Sequence, residues 1–460
     1  MSSCRLFVAL KSVCLGFAMG WGILASTVCS AQELPESPTE LSISLRQALA
    51  LAFSKDGNAA VQLSRLETKK AEAQSREALS VLLPNLYGTS GLTDYTESFA
   101  AQGFTLVQLP FGLKLPQRLG PLDAADVRAQ LNGNLFDFSA IRRFQASQAG
   151  TRASKSEVDS AMESVAAQVA RQYMAMLRAA AEVDAAEANV KLGSALVEQA
   201  RRVREAGNGV ALDVTRAQVE LAEEQQRLQA ANGDLKESQF NLLRTMRLSL
   251  DTQLHLTDRL EYIPVDPLTL TAAKSEAKKL RPDLQAETER QNESRLALSA
   301  TRMQRLPSIV GYANYGTTGN AAQALLPTYA LGISLRLPVY DGGRQEAQAA
   351  ESLTQYREES VRVRDLNDQI DLEIRTAIER LQTAELQFKT ATSALALAET
   401  ELDQTSRRYA EGVAGSIEVT DAQTKLARAQ DNRIAALFSH NLARIDLNYA
   451  MGSLVRMIEE

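Results

Sequence analysis

Met162–Val197 reads MESVAAQVARQYMAMLRAAAEVDAAEANVKLGSALV. Met162, Val169, Met176, Val183, Val190 and Val197 fall seven residues apart on a background of Ala, Glu, Gln and Arg. A strict seven-residue apolar repeat marks a helix that supercoils against another helix. The pattern recurs. Ile374, Leu381, Phe388, Leu395 and Leu402 also step by seven, each 205 residues beyond its counterpart from Val169 onward. Ala377, Ala384, Ala391 and Ala398 fill the other seam position of that second copy. Two in-register copies of one very long helix predict a duplicated helical hairpin.

Just upstream of the first copy, Val127, Ala129, Leu131, Gly133 and Leu135 alternate with Arg128, Gln130, Asn132 and Asn134. That is the period of a strand with one apolar face. Phe136-Asp137 closes it, and Ser139 is expected to cap a helix reaching about Glu205. About 65 residues at ~1.5 Å each make it roughly 100 Å long. Ala206-Gly207-Asn208-Gly209 breaks it, and a returning helix to Met246 carries Val214, Leu221, Leu228, Leu235 and Leu242, again seven apart.

Earlier still, Leu45, Ala48, Leu49 and Ala52 predict a helix from Ser44, broken at Asp56-Gly57-Asn58. A second runs from Ala59 to about Leu82, ahead of Pro84. Residues 96–126, with Pro110, Pro116 and Pro121, read as a loop whose apolar part, 104–115, has no assigned role. The expected plan is therefore 32–247 as a first repeat, with helices in 44–82, strands about 85–95 and 127–136, and a hairpin over 139–246. A linker follows at 248–267. The second repeat, 268–452, has helices in 268–305, strands about 308–315 and 329–339, and a hairpin over 344–449, with a tail at 453–460.

Residues 1–31 have another character. Arg5 and Lys11 precede an apolar run, Val13 to Ala25, and then Cys29-Ser30-Ala31. This is the pattern of a secretory signal, with cleavage expected after Ala31. The run is short for a membrane helix. Cys29 follows Val28 rather than a small residue, which argues against lipidation there. All three cysteines lie in the segment to be removed, so no disulfide, thiol-bound metal or other cofactor is expected. The net charge of −6 disfavours a nucleic-acid partner.

Four short strands with an apolar face do not stand alone in water. In a bilayer, strands must close into a barrel so that no edge is left unpaired. Four strands do not close one, so several chains are expected to share it. The fold class expected is mainly α with a membrane β-barrel part.

The chain resembles the TolC family of outer-membrane efflux and secretion channels. Pro338-Val339-Tyr340-Asp341-Gly342-Gly343 carries the family's sequence at the start of the long helix; the first copy keeps Leu135-Phe136-Asp137 after Asn134. Arg408-Tyr409-Ala410-Glu411-Gly412, Ser416-Ile417-Glu418-Val419 and Asp421-Ala422-Gln423 carry its tip signature, matched by Gly207, Leu212-Asp213-Val214 and Ala217-Gln218. The resemblance covers residues 41 to 452. It implies a homotrimer in the outer membrane of a Gram-negative-type bacterium, with a twelve-stranded barrel in its lipid and a periplasmic α-barrel. It also implies docking on a periplasmic adaptor, and through it on an inner-membrane pump, for efflux or type I secretion.

Glu418 and Asp421 are three apart on a helix, so their carboxylates share a face. Three chains would stack two acidic rings there, a gate favouring cations. The plainer reading is that acids in a helix's first turn complement its dipole. The resemblance makes Asp213 and Tyr409 gate-linking residues, although Ala414 replaces the family's pairing Arg. Asp213 serves equally as a helix cap and Tyr409 as packing. The tips, Gly207, Asn208, Gly209, Gly412, Val413, Ala414, Gly415 and Ser416, are expected to dock the adaptor; their glycines are turn formers first. No nucleophile or metal motif points to an enzyme, and two histidines 185 residues apart make no metal site. The competing reading is a secreted coiled-coil scaffold, structural or adhesive, without a channel.

Overall fold

A computed structural model describes residues 40–98, 101, 118–207, 209–265, 270–320, 324–411, 413 and 415–459. The expected signal segment and Cys29, the apolar stretch 104–115, and Asn208, Gly412 and Ala414 lie outside the described residues. In order, the elements are β1 (Glu40–Ile43), α1 (Leu45–Phe53), α2 (Ala59–Ser80), β2 (Asn85–Ser98), β3 (Arg118–Phe136), α3 (Phe138–Glu205) and α4 (Ala211–Met246). Then come β4 (Gln253–Leu256), α5 (Leu270–Leu280), α6 (Pro282–Met303), β5 (Ser308–Asn320), β6 (Ala324–Arg336), α7 (Arg344–Ala410), α8 (Ser416–Met451) and α9 (Leu454–Glu459).

The long helices α3 and α7 have 68 and 67 residues. α3 packs on α4, and α7 on α8, while α3 also packs on α6 and α8. Val169, Met176 and Val197 are buried, as are Ile374, Ala377, Ala384 and Ala398. The α3 cap is not Ser139, as expected, but Asp137, whose Oδ1 accepts the Ala140 N–H at 3.1 Å. Ser139 is the second residue of the helix, buried with no partner for its hydroxyl. A carboxylate two residues earlier outcompetes it for the free N–H groups.

β2, β3, β5 and β6 form one antiparallel sheet in that order. The strands exceed their expected lengths. β2 continues past Tyr95, β3 starts at Arg118 inside the expected loop, and β5 continues past Tyr315. Conversely, β6 spans Ala324–Arg336 and stops short of Val339. Residues 118–126 lack clean alternation and contain Gly120-Pro121, but pairing with β2 supplies the backbone partners that pattern alone does not reveal.

Six strands are present among the described residues, not four. β1 pairs in parallel with β4, so Glu40 to Ser42, ahead of the first expected helix, belong to a strand. This small sheet seats Ile43 and Leu254 in a core with Leu49, Val169, Tyr173, Leu242, Leu243, Met246 and Leu454. Residues 454–459, expected as a tail, form α9 against it. A second core joins Ala273, Ala277, Leu284, Ile374, Leu447 and Met451. Beside it Arg281, buried, donates to Asp283, Glu373 and the Ala450 carbonyl. Gly452 closes α8 at φ 70°, and a Cβ there would come within 2.8 Å of the Arg281 Cα.

Candidate functional site: sheet faces and hairpin tips

The register of the four-stranded sheet sorts its side chains onto two faces. Leu86, Leu131, Ala313 and Leu331 share one row, and Gly88, Ala129, Tyr315 and Tyr329 another row of the same face. On the opposite face, Tyr87, Gln130, Asn314 and Ala330 align, beside the row of Thr89, Arg128, Gly316 and Thr328. Side chains on that face hydrogen-bond to one another: Asn132 Nδ2 donates to the Tyr87 hydroxyl at 2.6 Å, and Arg128 Nε to Asp126 Oδ1 at 2.6 Å. The apolar face has no cover among the described residues. Leu92, Tyr329, Leu331 and Ile333 are 81%, 81%, 80% and 73% exposed. An uncovered apolar face this long is a surface for lipid or protein. The outer edges of β2 and β6 have no neighbouring strand among the described residues.

The other candidate region is where the two hairpins turn. α3 ends with Arg202 and Arg204 in its last turn, and Gly207 takes φ 81°, a conformation that favours glycine. Val210 and Gly415 occupy the N-cap positions of α4 and α8, and neither supplies a side-chain cap. Asp213 and Glu418 lie in the first turns, where a carboxylate complements exposed N–H groups. Asp213 is therefore not the cap.

The fold brings Asp213, Tyr409 and Ser416 together. The Ser416 hydroxyl donates to Asp213 Oδ1, tying the start of α8 to the start of α4 across 203 residues of sequence. Tyr409 is buried beside them, and burial, then the charge of Asp213, pushes its phenol above the usual value. Leu196, Ala200, Ala217 and Val419 complete this recess.

Glu418 and Asp421 are exposed, but neither stands alone. Arg408 Nη1 lies 3.6 Å from Glu418 Oε2, and Lys425 Nζ lies 2.8 Å from Asp421 Oδ2. Lys425 also reaches Glu401 at 2.8 Å. Its ammonium is held above the usual lysine range by the hydrogen bond to Asp421 first, then that to Glu401. The sequence reading missed these counter-charges, although Lys425 stands four residues after Asp421, the helix spacing of an ion pair. It quoted Leu212 and Ile417 only as signature residues and passed over Val210; with Val413 these are exposed apolar side chains around the turns. Bulky apolar residues between turn glycines were the available signal.

The family model for "Outer membrane efflux protein" matches residues 54–246 and 273–453. Outer membrane efflux protein BepC of Brucella suis is 24% identical over 316 residues, covering 66% of this chain and 67% of that protein. Alkaline protease secretion protein AprF of Pseudomonas aeruginosa is 22% identical over 339 residues, 70% and 68% of the two chains. The solved outer membrane protein VceC of Vibrio cholerae superposes with a TM-score of 0.73 at 17% identity, over 89% of this chain and 96% of that one.

Proposed function

The chain belongs to the outer membrane efflux protein family, and from that membership we propose that three copies form a single exit duct gated at its periplasmic tip. The family is one of channels in the outer membrane, not of enzymes. The observation that carries the trimer is the four-stranded sheet with one apolar face and two open edges. Edge-to-edge addition of three such sheets gives twelve strands and removes every free edge, with the Leu331 face toward lipid and the Arg128 face toward water. A secreted scaffold without a channel has no use for a sheet so divided.

At the tip, Glu418 and Asp421 of three chains form the acidic constriction, and Arg408 and Lys425 moderate its charge. Asp213, Ser416 and Tyr409 hold the two turns of each chain together in the closed state. This substitutes a neutral serine link for the arginine that Ala414 replaces. The turns, with Gly207, Asn208, Gly209, Gly412, Val413, Ala414, Gly415 and Ser416, dock a periplasmic adaptor that joins an inner-membrane pump. Val413 is 69% exposed and offers an apolar anchor for that contact. BepC and AprF are named for efflux and for protease secretion, at near-equal identities of 24% and 22%. We assign the chain to the exit step shared by both systems. A photo-crosslinker at Val413, used in cells, tests this: capture of a periplasmic adaptor supports it. Efficient crosslinking to the chain itself alone, with no adaptor under active export, contradicts it.

A further inference from the structure

The two repeats of the chain correspond residue by residue. α2 and α6 both have 22 residues, Ala59–Ser80 and Pro282–Met303, so each position of α6 answers one of α2 lying 223 residues earlier. β2 and β5 start at Asn85 and Ser308, the same spacing. Asn85 pairs with Asn132 in β3, and Ser308 with Arg336 in β6, so β3 and β6 correspond at a spacing of 204. For α3 and α7 the seam residues Val169 and Ile374, both fully buried, fix a spacing of 205.

Within one chain the repeats meet through β3 with β5 and through α3 with α6. That junction joins the β3 and α3 side of the first repeat to the β5 and α6 side of the second. An equivalent of each half is left over. β6 and α7 repeat the first side, and β2 and α2 repeat the second. β2 and β6 are the outer strands of the sheet. On α2, Leu63 and Leu66 are 63% and 57% exposed, whereas Ala286, the α6 equivalent of Leu63, is buried.

We propose that the β6–α7 side of one copy receives the β2–α2 side of the next in the register of the junction inside the chain. This rests on the edge-to-edge joining of copies proposed above and adds which residues meet. Inside the chain Ala129 pairs with Tyr315, and Gln130 with Asn314. The equivalent positions set Ile333 opposite Leu92 of the next copy, and Ser334 opposite Gly91 of the next copy. Like faces meet: Ile333 and Leu92 lie on the exposed apolar face, Ser334 and Gly91 on the face of Arg128. A slip of one residue would set the apolar face of one sheet against the polar face of the other.

Charge agrees with this register. Glu157 of α3 pairs with Arg290 of α6 inside the chain. Their equivalents are Arg362 of α7 and Glu67 of α2. The signs are exchanged, and the pair stays complementary. Both side chains are 62% exposed, and each has a neighbour on its own helix, Arg362 with Glu359 at 2.7 Å and Glu67 with Lys70 at 3.1 Å. Arg152 and Glu289, joined at 2.9 Å inside the chain, have Arg357 and Leu66 as equivalents, so the contact between copies is the more apolar of the two. A head-to-tail junction of this kind closes as a ring when its rotation repeats.

The test uses the full chain in detergent, with paired cysteine substitutions and a copper oxidant. Residues directly opposite on antiparallel strands bring their Cβ atoms within reach of a disulfide. A Cβ at Gly91 meets nothing within 4 Å inside the chain. Ser334→Cys is combined in turn with Thr93→Cys, Gly91→Cys, Thr89→Cys and Tyr87→Cys; each substitution alone sets the background, native cysteines included. Covalent dimer and trimer should peak with Gly91→Cys and fall to background with Tyr87→Cys, roughly 13 Å away along the strand. Arg362→Glu and Glu67→Arg should each lower the temperature at which the trimer dissociates, and the double variant should recover most of that loss. A peak at another position, no product at any position in particles of three chains, or strictly additive losses in the double variant overturns the proposed register and leaves the three-copy duct standing. One chain per particle removes both.

Discussion

Replacing Leu331 by arginine puts a cation on the apolar face of β6, one residue from the middle of the Ala324–Arg336 strand. Leu331 is 80% exposed, and its row continues through Ala313, Leu131 and Leu86 without a polar partner. If that face meets hydrocarbon, an arginine near the midplane costs ~2–4 kcal/mol per chain. That is roughly a thirtyfold or greater loss in the folded-to-unfolded ratio. The neighbouring residue supplies the control. Ala330 is also exposed, but its row holds Asn314, Gln130 and Tyr87. Arginine there faces water in the assembled pore and should stay within about 0.5 kcal/mol of wild type. The assay is reversible denaturant unfolding in lipid vesicles, read by tyrosine fluorescence. Equal cost at the two positions, or a greater cost at Ala330, would refute the assignment of faces.

Other parts of the molecule give further expectations. Tyr173 is fully buried and its hydroxyl lies 2.7 Å from Asp258 Oδ2, so Tyr173→Phe should lose about 1.5–3 kcal/mol in a thermal or urea melt; an unchanged midpoint would dismiss that bond as unimportant. At the tip, Glu418→Gln with Asp421→Asn should reduce the cation selectivity of single channels, and unchanged selectivity refutes the ring. His440 is buried, its Nδ1 without a partner, and its ring 4.7 Å from Tyr262, which stacks on Phe388 at 4.8 Å. Burial lowers its titration below the usual value, Glu385 opposing and Arg444 reinforcing. A lowered imidazole contributes stability above its unfolded value of about 6.5 and loses it as pH falls. The segment around Tyr262 should then exchange amide hydrogen faster at about pH 5 than at neutral pH, after correction for intrinsic rates, and His440→Leu should remove the difference. Persistence of the difference in that variant would assign it to another group.

The duplicated hairpins were legible because a seam position repeats every seventh residue over many turns, as Val169, Met176 and Val197 illustrate. Such a signal is local and redundant. The β1–β4 pair was not legible. Each strand has four residues, and Glu40 pairs with Gln253 across the whole first hairpin, a contact that no local period encodes. The first part of β3 was hidden for a related reason: Gly120-Pro121 and Asp123 read as loop residues, whereas β2 pairs with Asp123 and with the strand on both sides of the irregularity at Gly120-Pro121. At the tip, the resemblance already named Asp213 and Tyr409 as gate-linking residues. The Ser416 hydroxyl that donates to Asp213 emerges only when the turns of both hairpins are brought side by side, and the Arg408–Glu418 pair only when α7 and α8 are, whereas the Lys425–Asp421 pair was readable from its spacing.

The account depends on sheet edges joining between chains. The direct measurement is the mass of the protein–detergent complex by multi-angle light scattering, followed by reconstitution of the same fraction into planar bilayers. Three chains per particle and discrete cation-preferring conductance steps are the predicted result. A single chain per particle that passes no ions would contradict it.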